Sequence, residues 1–234
     1  MVKAYFNYVY NPVYDFTTGR FSCYRQLQEM CVGKLELNNK DRVLCLGLGT
    51  GNEIFYILEV NNNVSITGVD YSFRALRKAK SKALAWGKEI EVFIMDARRL
   101  DFTSGSFDKV VCIHVMDFVT EDEKVTSEIL RVLKKGGQFV ITYPSKKEGV
   151  SLGLNILKDI IYRNPDSGWH RTIAILRALF QMLAGIVYLP LFLRPRKRPY
   201  LSHELKTMID GLKTGDFRIE EYPLYQDYIV YGRK

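Results

Sequence analysis

Four apolar residues, Val43-Leu44-Cys45-Leu46, run straight into glycines at every second position, Gly47-Leu48-Gly49-Thr50-Gly51. That junction restricts the fold more than any other part of the chain. A short, nearly continuous apolar run suits a strand covered on both faces. The glycines let the backbone turn sharply, and Asn52 to Val60 then reads as a helix. The same unit recurs downstream. Val64 to Val69 is a second strand ending at Asp70, and Ser72 caps a helix running to about Trp86. Ile90 to Met95 is a third strand ending at Asp96, and Phe107 to Val111 begins a fourth. Glu121 to Lys134 reads as a helix stopped by Gly136-Gly137, with Gln138 to Tyr143 as the fifth strand.

Each crossover between parallel strands needs a helix to return the chain, so this alternation predicts an α/β fold, a Rossmann-like, doubly wound and mostly parallel sheet. Residues about 20–37 form a preceding helix. After residue 200 the pattern changes: His203 to Leu212 is a short helix, and Phe217 to Tyr222 and Asp227 to Tyr231 are strands close in sequence. A tight connection makes them an antiparallel pair that closes a seven-stranded sheet. The 234 residues suffice for one sizeable domain. Within 1–234 we expect an N-terminal helical cover (1–38), a ligand-binding core (39–145), a helical insertion (146–202) and a C-terminal helix with the strand pair (203–234).

Composition is that of a globular chain, 47% hydrophobic and 26% charged. The cysteines Cys23, Cys31, Cys45 and Cys112 lack metal-like spacing, so no metal site is expected, and Cys45 and Cys112 lie in apolar runs that suit buried thiols. Met1 to Phe16 has no apolar signal core, and a cytoplasmic location is expected. Charge is unevenly spread. Lys146 to Pro199 holds ten Lys/Arg against three acids, which accounts for +7 of the net +8. Such a surface attracts anions.

Three features stand at the C-terminal ends of consecutive strands, where an open α/β sheet binds its ligand. The glycine loop and following helix N-terminus suit a carboxylate. Asp70, nineteen residues after Gly51, can accept two hydrogen bonds from a ribose diol. Asp96-Ala97 suits the exocyclic amine of an adenine. Together they predict an adenosine-type ligand. A dinucleotide fingerprint would require a third glycine where Asn52 stands, so GxGxG favours a different adenosine ligand.

Val43 to Gly51, Gly68-Val69-Asp70, Met95-Asp96-Ala97, Ser106-Phe107-Asp108, His114 and Arg131 to Gly137 resemble the successive motifs of class I S-adenosylmethionine-dependent methyltransferases. The nearest group is that of the ubiquinone/menaquinone C-methyltransferases. The likeness covers about residues 40–145; the tail is looser, and the start is similar only in Tyr14-Asp15. It implies S-adenosyl-L-methionine as donor, held by Gly47, Leu48, Gly49, Thr50, Gly51, Asp70, Tyr71, Asp96, Ala97, Ile113, His114 and Tyr24. It also places His114 toward the substrate cavity, with Tyr14 and Tyr24 covering the donor. One departure stands out: the family usually has Asp or Glu where this chain has Cys45, which removes a polar anchor beneath the loop. Methyl transfer to an acidic O–H or C–H needs a base. His114 is the candidate, Asp117 the fallback, and Tyr14 a further catalytic candidate.

Thr172 to Leu193 has 17 apolar residues in 22, but Arg177 lies inside it and Pro190 near its end. With the run Arg194-Pro195-Arg196-Lys197-Arg198-Pro199 after it, 169–199 reads as a lid or as a helix at an anionic membrane surface rather than a span. Either way it roofs the cavity with apolar side chains, which implies a small hydrophobic or amphiphilic acceptor, quinone- or lipid-like. Two other readings compete. One is an RNA or protein methyltransferase using 194–198. Nucleic acid is disfavoured because the basic run is bordered by apolar residues rather than base-stacking aromatics. The other is a non-catalytic donor-binding or partner subunit. Oligomeric state is not encoded legibly.

Overall fold

A computed structural model describes residues 2–10, 14–15, 22–145, 172–173, 175–176, 179–180, 199–212 and 214–234. Seven strands form one sheet in the order β3-β2-β1-β4-β5-β7-β6. They are β1 (Arg42–Leu46), β2 (Ser65–Asp70), β3 (Glu91–Ile94), β4 (Phe107–Cys112), β5 (Leu133–Pro144), β6 (Phe217–Tyr222) and β7 (Asp227–Arg233). β1 to β5 pair in parallel, and β7 runs antiparallel between β5 and β6. The doubly wound α/β fold and the antiparallel closing strand are therefore both present.

Side-chain alternation splits each strand between two cores. Val43, Cys45, Ile66 and Val111 face one way, against Leu27 and Cys31 of α1 (Ser22–Gly33), Ile54 and Ile57 of α2 (Asn52–Val60), and Leu76 and Ala79 of α3 (Phe73–Ala85). Leu44, Leu46, Val110 and Cys112 face the other way, against Val125 and Ile129 of α4 (Asp122–Val132) and Leu205 and Ile209 of α5 (Ser202–Gly211). All four cysteines are free and buried, as expected for Cys45 and Cys112.

The fourth helix differs from its expected form. It ends at Val132, not Lys134, and Gly136-Gly137 lie inside β5 rather than after a helix. Leu133 turns extended (φ −75, ψ 135), is fully buried and pairs with Phe107. Burying Leu133 between strand and core outweighs two more helical residues. The β4–β5 register then shifts between Phe107 and Lys109, and Gly136 takes φ +78 at that irregularity.

Ser72 caps α3 as expected, its Oγ accepting from the Ala75 N–H at 3.2 Å. Its hydroxyl in turn donates to Asn7 Oδ1 (2.6 Å), so the N-terminal segment is tied to the start of α3. Most of the insertion 146–202, with Arg177, Pro190 and the run 194–198, lies outside the described residues. Among the described residues, no helix is long and apolar enough to cross a membrane.

Candidate active site

The cleft at the C-terminal ends of β1, β2 and β4 holds a cavity of about 360 Å³. The β1–α2 turn forms its floor. Gly47 takes φ +73, and a Cβ there would fall 2.1 Å from Val115 Cγ2. Gly51, at φ +77, would place a Cβ 2.8 Å from Ala79 Cβ. Only glycine meets both constraints, in a loop clamped between α3 and the turn after β4.

Asp70 fixes the loop from β2. Its Oδ2 accepts the Gly49 N–H at 2.8 Å and its Oδ1 the Ser72 N–H at 2.8 Å. Burial pushes its carboxyl up, and the backbone N–H groups of Ser72, Gly49 and Tyr71 only partly offset this. A carboxylate has about four acceptor positions; with three backbone N–H groups on it, one remains for a ribose hydroxyl rather than the two expected for a diol. Asp96 is engaged differently: Arg98 reaches it through Nε (2.9 Å) and Nη2 (2.6 Å), and this guanidinium holds its carboxyl below the usual range. Arg98 also touches Glu121 (2.7 Å) and itself lines the cavity.

The N-terminal segment closes over the loop. Asp15 accepts from the Thr50 hydroxyl at 2.6 Å and pairs with Lys78 and Lys82, each at 2.8 Å. Lys82 donates to Asn52 Oδ1 as well (2.6 Å). Burial pushes the Asp15 carboxyl up, but the two lysines and Thr50 outweigh it and leave it lowered. The neighbouring Tyr14 lines the cavity and donates to Tyr24 Oη at 2.5 Å.

At the end of β4, His114 adopts φ +58, a left-handed conformation rare outside glycine. Its backbone N–H donates to Thr142 Oγ1 (2.9 Å). A carboxylate can only accept, so His114 Nε2–H donates to Asp227 Oδ2 at 2.6 Å, with Asp227 only 3% exposed on β7. On the opposite ring edge, Asp117 Oδ2 stands 3.8 Å from Nδ1. The three groups cluster within 4.8 Å. Tyr24 and Tyr225 flank the ring, with centroids 5.1 and 4.7 Å away.

Gly47, Leu48, Gly49, Thr50, Gly51, Asp70, Tyr71, Asp96, Ala97, Ile113, His114, Tyr14 and Tyr24 thus line one cavity. Asp117 touches His114 without lining it. Four further residues escaped the sequence reading: Arg98, Glu53, Gln28 and Asp227. Asp227 carries no local cue, since strand closure alone brings it across 113 residues to His114.

Residues 44–141 match the methyltransferase domain family. A phosphatidylethanolamine N-methyltransferase of Cereibacter sphaeroides is 33% identical over 167 residues, 70% of this chain and 79% of that one. The chain belongs to the S-adenosylmethionine-dependent methyltransferases. A demethylmenaquinone methyltransferase of Thermus thermophilus is 32% identical over 109 residues, spanning 46% of this methyltransferase and 50% of that enzyme. In fold it is similar to a SAM dependent methyltransferase from Aquifex aeolicus (TM-score 0.57, 17% identity, 94% and 92% of the two chains). A protein from Pyrococcus horikoshii gives TM-score 0.60 at 20% identity, over 94% and 95%. The methyl donor is S-adenosyl-L-methionine. The cavity fits that donor: the glycine cradle excludes any Cβ, and Asp70 keeps acceptor capacity facing it.

Proposed function

We propose that this methyltransferase acts on a small hydrophobic or amphiphilic acceptor presented beside His114, and that the acceptor is lipid-like with an amine head group. One observation carries the reading: the His114–Asp227–Asp117 cluster, walled by Tyr24 and Tyr225, sits next to the glycine loop through Val115. With one imidazole and two carboxylates the cluster is net negative in either state of the ring, and aromatic faces favour a cation. The phosphatidylethanolamine N-methyltransferase relative supports the same head group.

Bound donor supplies a sulfonium-activated methyl group. The protein's task is then placement, since in-line approach accounts for most of the barrier reduction. Asp227 fixes the His114 ring and its tautomer, so that Nδ1 takes a proton from the bound ammonium; the neutral amine so formed attacks the methyl carbon, the S–C bond breaks, and the methylated product leaves as an ammonium. Tyr14, tied to Tyr24, covers the donor while Asp15 holds the segment down. We assign donor contacts to the glycine loop, Asp70, Tyr71, Asp96, Ala97 and Ile113. We read the chain as one catalytic unit, cytoplasmic and peripheral at the inner face of an anionic membrane. The exposed Ile173, Leu176 and Phe180 support that apposition.

A second reading, an isoprenoid quinone acceptor, is favoured by the demethylmenaquinone methyltransferase relative. Incubating enzyme and isotopically labelled donor with lipid and quinone extracts, followed by mass spectrometry, separates the two. Label on an aminophospholipid is expected. Label on a quinone selects the second reading, and label on RNA or protein overturns both.

A further inference from the structure

Cys45 leaves the end of β1 without a carboxylate, yet the cavity contains one from another element. Glu53, in the first turn of α2, lines the cavity and is 7% exposed. Among the described residues no cation pairs with it, and the hydrogen bond it receives comes from its own backbone N–H. Titratable groups face it from several sides: Asp70 on β2, Lys82 on α3, and the neutral thiols of Cys45 on β1 and Cys112 on β4. Lys82 is already engaged by Asp15 and Asn52. On α1, Gln28 is 2% exposed, lines the same cavity, and its Oε1 has no hydrogen-bond partner. Two buried acceptors therefore face the cavity, and among the described residues Gln28 Oε1 meets no donor and Glu53 only its own backbone N–H, an arrangement that costs free energy unless a ligand brings N–H groups.

We propose that Glu53 binds the α-ammonium of the methyl donor, taking over the anchoring role that Cys45 cannot perform. The donor's own geometry supports this. Its α-carboxylate and α-ammonium share one carbon, and the carboxylate is drawn to the α2 N-terminus and its free N–H groups. An ammonium beside it falls next to the first turn of that helix, where Glu53 sits. Gln28 adds a second, neutral acceptor on the same cavity. Burial pushes the empty-site Glu53 carboxyl up to about 8, with Asp70 adding repulsion, so a bound ammonium draws a proton off it near neutral pH.

The inference rests on the family's donor and is independent of the acceptor. It is tested by calorimetry on the full chain with S-adenosylhomocysteine and with its analogue lacking the α-amine. In wild type the amine is expected to improve affinity about 10- to 100-fold, the range of a hydrogen-bonded charge. In Glu53→Gln that advantage vanishes, while the deaminated analogue binds within about twofold of wild type. Titrations at pH 7 in buffers of different ionisation enthalpy should show proton release in wild type and its loss in the variant. Equal loss for both ligands, or no loss for either, overturns the proposal. The wild-type ligand comparison and proton count stand even if Glu53→Gln does not fold. If wild type binds neither ligand, the donor assignment falls with it.

Discussion

At the scale of single residues, His114 combines a strained backbone with a buried partner. A non-glycine residue at φ +58 costs of order 1–3 kcal/mol, and here the Thr142 hydrogen bond and the Asp227 contact hold it. Strain kept in place at a cavity wall suits a side chain that must point one way. His114→Ala is expected to lower kcat by about 10²- to 10⁴-fold with donor affinity within about twofold, measured by steady-state kinetics and calorimetry. Asp227→Asn keeps the ring but not its tautomer, so a smaller loss is expected together with a displaced pH–rate profile. An unchanged profile would reduce Asp227 to a packing role. His114 was named in the sequence by its motif position and Asp117 as the fallback base. Asp227 and Glu53 were not: an acid in a strand and an acid in a helix's first turn are common, and only tertiary closure shows what each faces.

At the scale of elements, strands and helices followed hydrophobic period closely, because buried strands read as apolar runs and helices as amphipathic stripes. The end of α4 escaped that logic, since sheet pairing by Leu133 overrides two residues of helical pattern and the glycines that mimic a helix stop serve a register shift. The N-terminal strap was legible only as the pair Tyr14-Asp15; what it clasps comes from three other elements. Asp15 links Thr50 of the donor loop to Lys78 and Lys82 of α3 while Tyr14 faces the cavity. Asp15→Asn removes both ion pairs and is expected to weaken donor binding by roughly 5- to 30-fold, the range of one to two kcal/mol for partly buried charge pairs. The sign with pH follows from the lowered carboxyl. The clasp is fully present above the ordinary aspartate range and is lost as pH falls through the lowered folded value. The wild-type advantage over Asp15→Asn in thermal stability should therefore hold at pH 7 and shrink under acid. An advantage that persists after the carboxyl is protonated would refute the clasp.

Across the whole molecule, charge is as uneven as chemistry. The donor cleft is assembled from β1 to β4 and their loops, whereas +7 of the net +8 charge lies in 146–199. Four cations fall within five residues at Arg194, Arg196, Lys197 and Arg198, after an apolar stretch whose Ile173, Leu176, Leu179 and Phe180 are exposed. Apolar side chains beside a cationic run match an anionic bilayer surface, where each Lys or Arg contributes about 1 kcal/mol within a Debye length. A head group lying in that plane would then be delivered to the His114 cluster without leaving the membrane. Replacing the four cations by Gln is expected to weaken co-sedimentation with phosphatidylserine-containing vesicles by roughly two orders of magnitude or more at low salt. Binding by wild type should fall as salt rises to about 0.5 M, and zwitterionic vesicles should bind little. Solution activity on a short-chain, water-soluble acceptor should survive the substitutions, because such an acceptor needs no membrane surface to reach the enzyme. No sedimentation at low salt, or sedimentation indifferent to salt and to the four substitutions, would remove the membrane surface from the account.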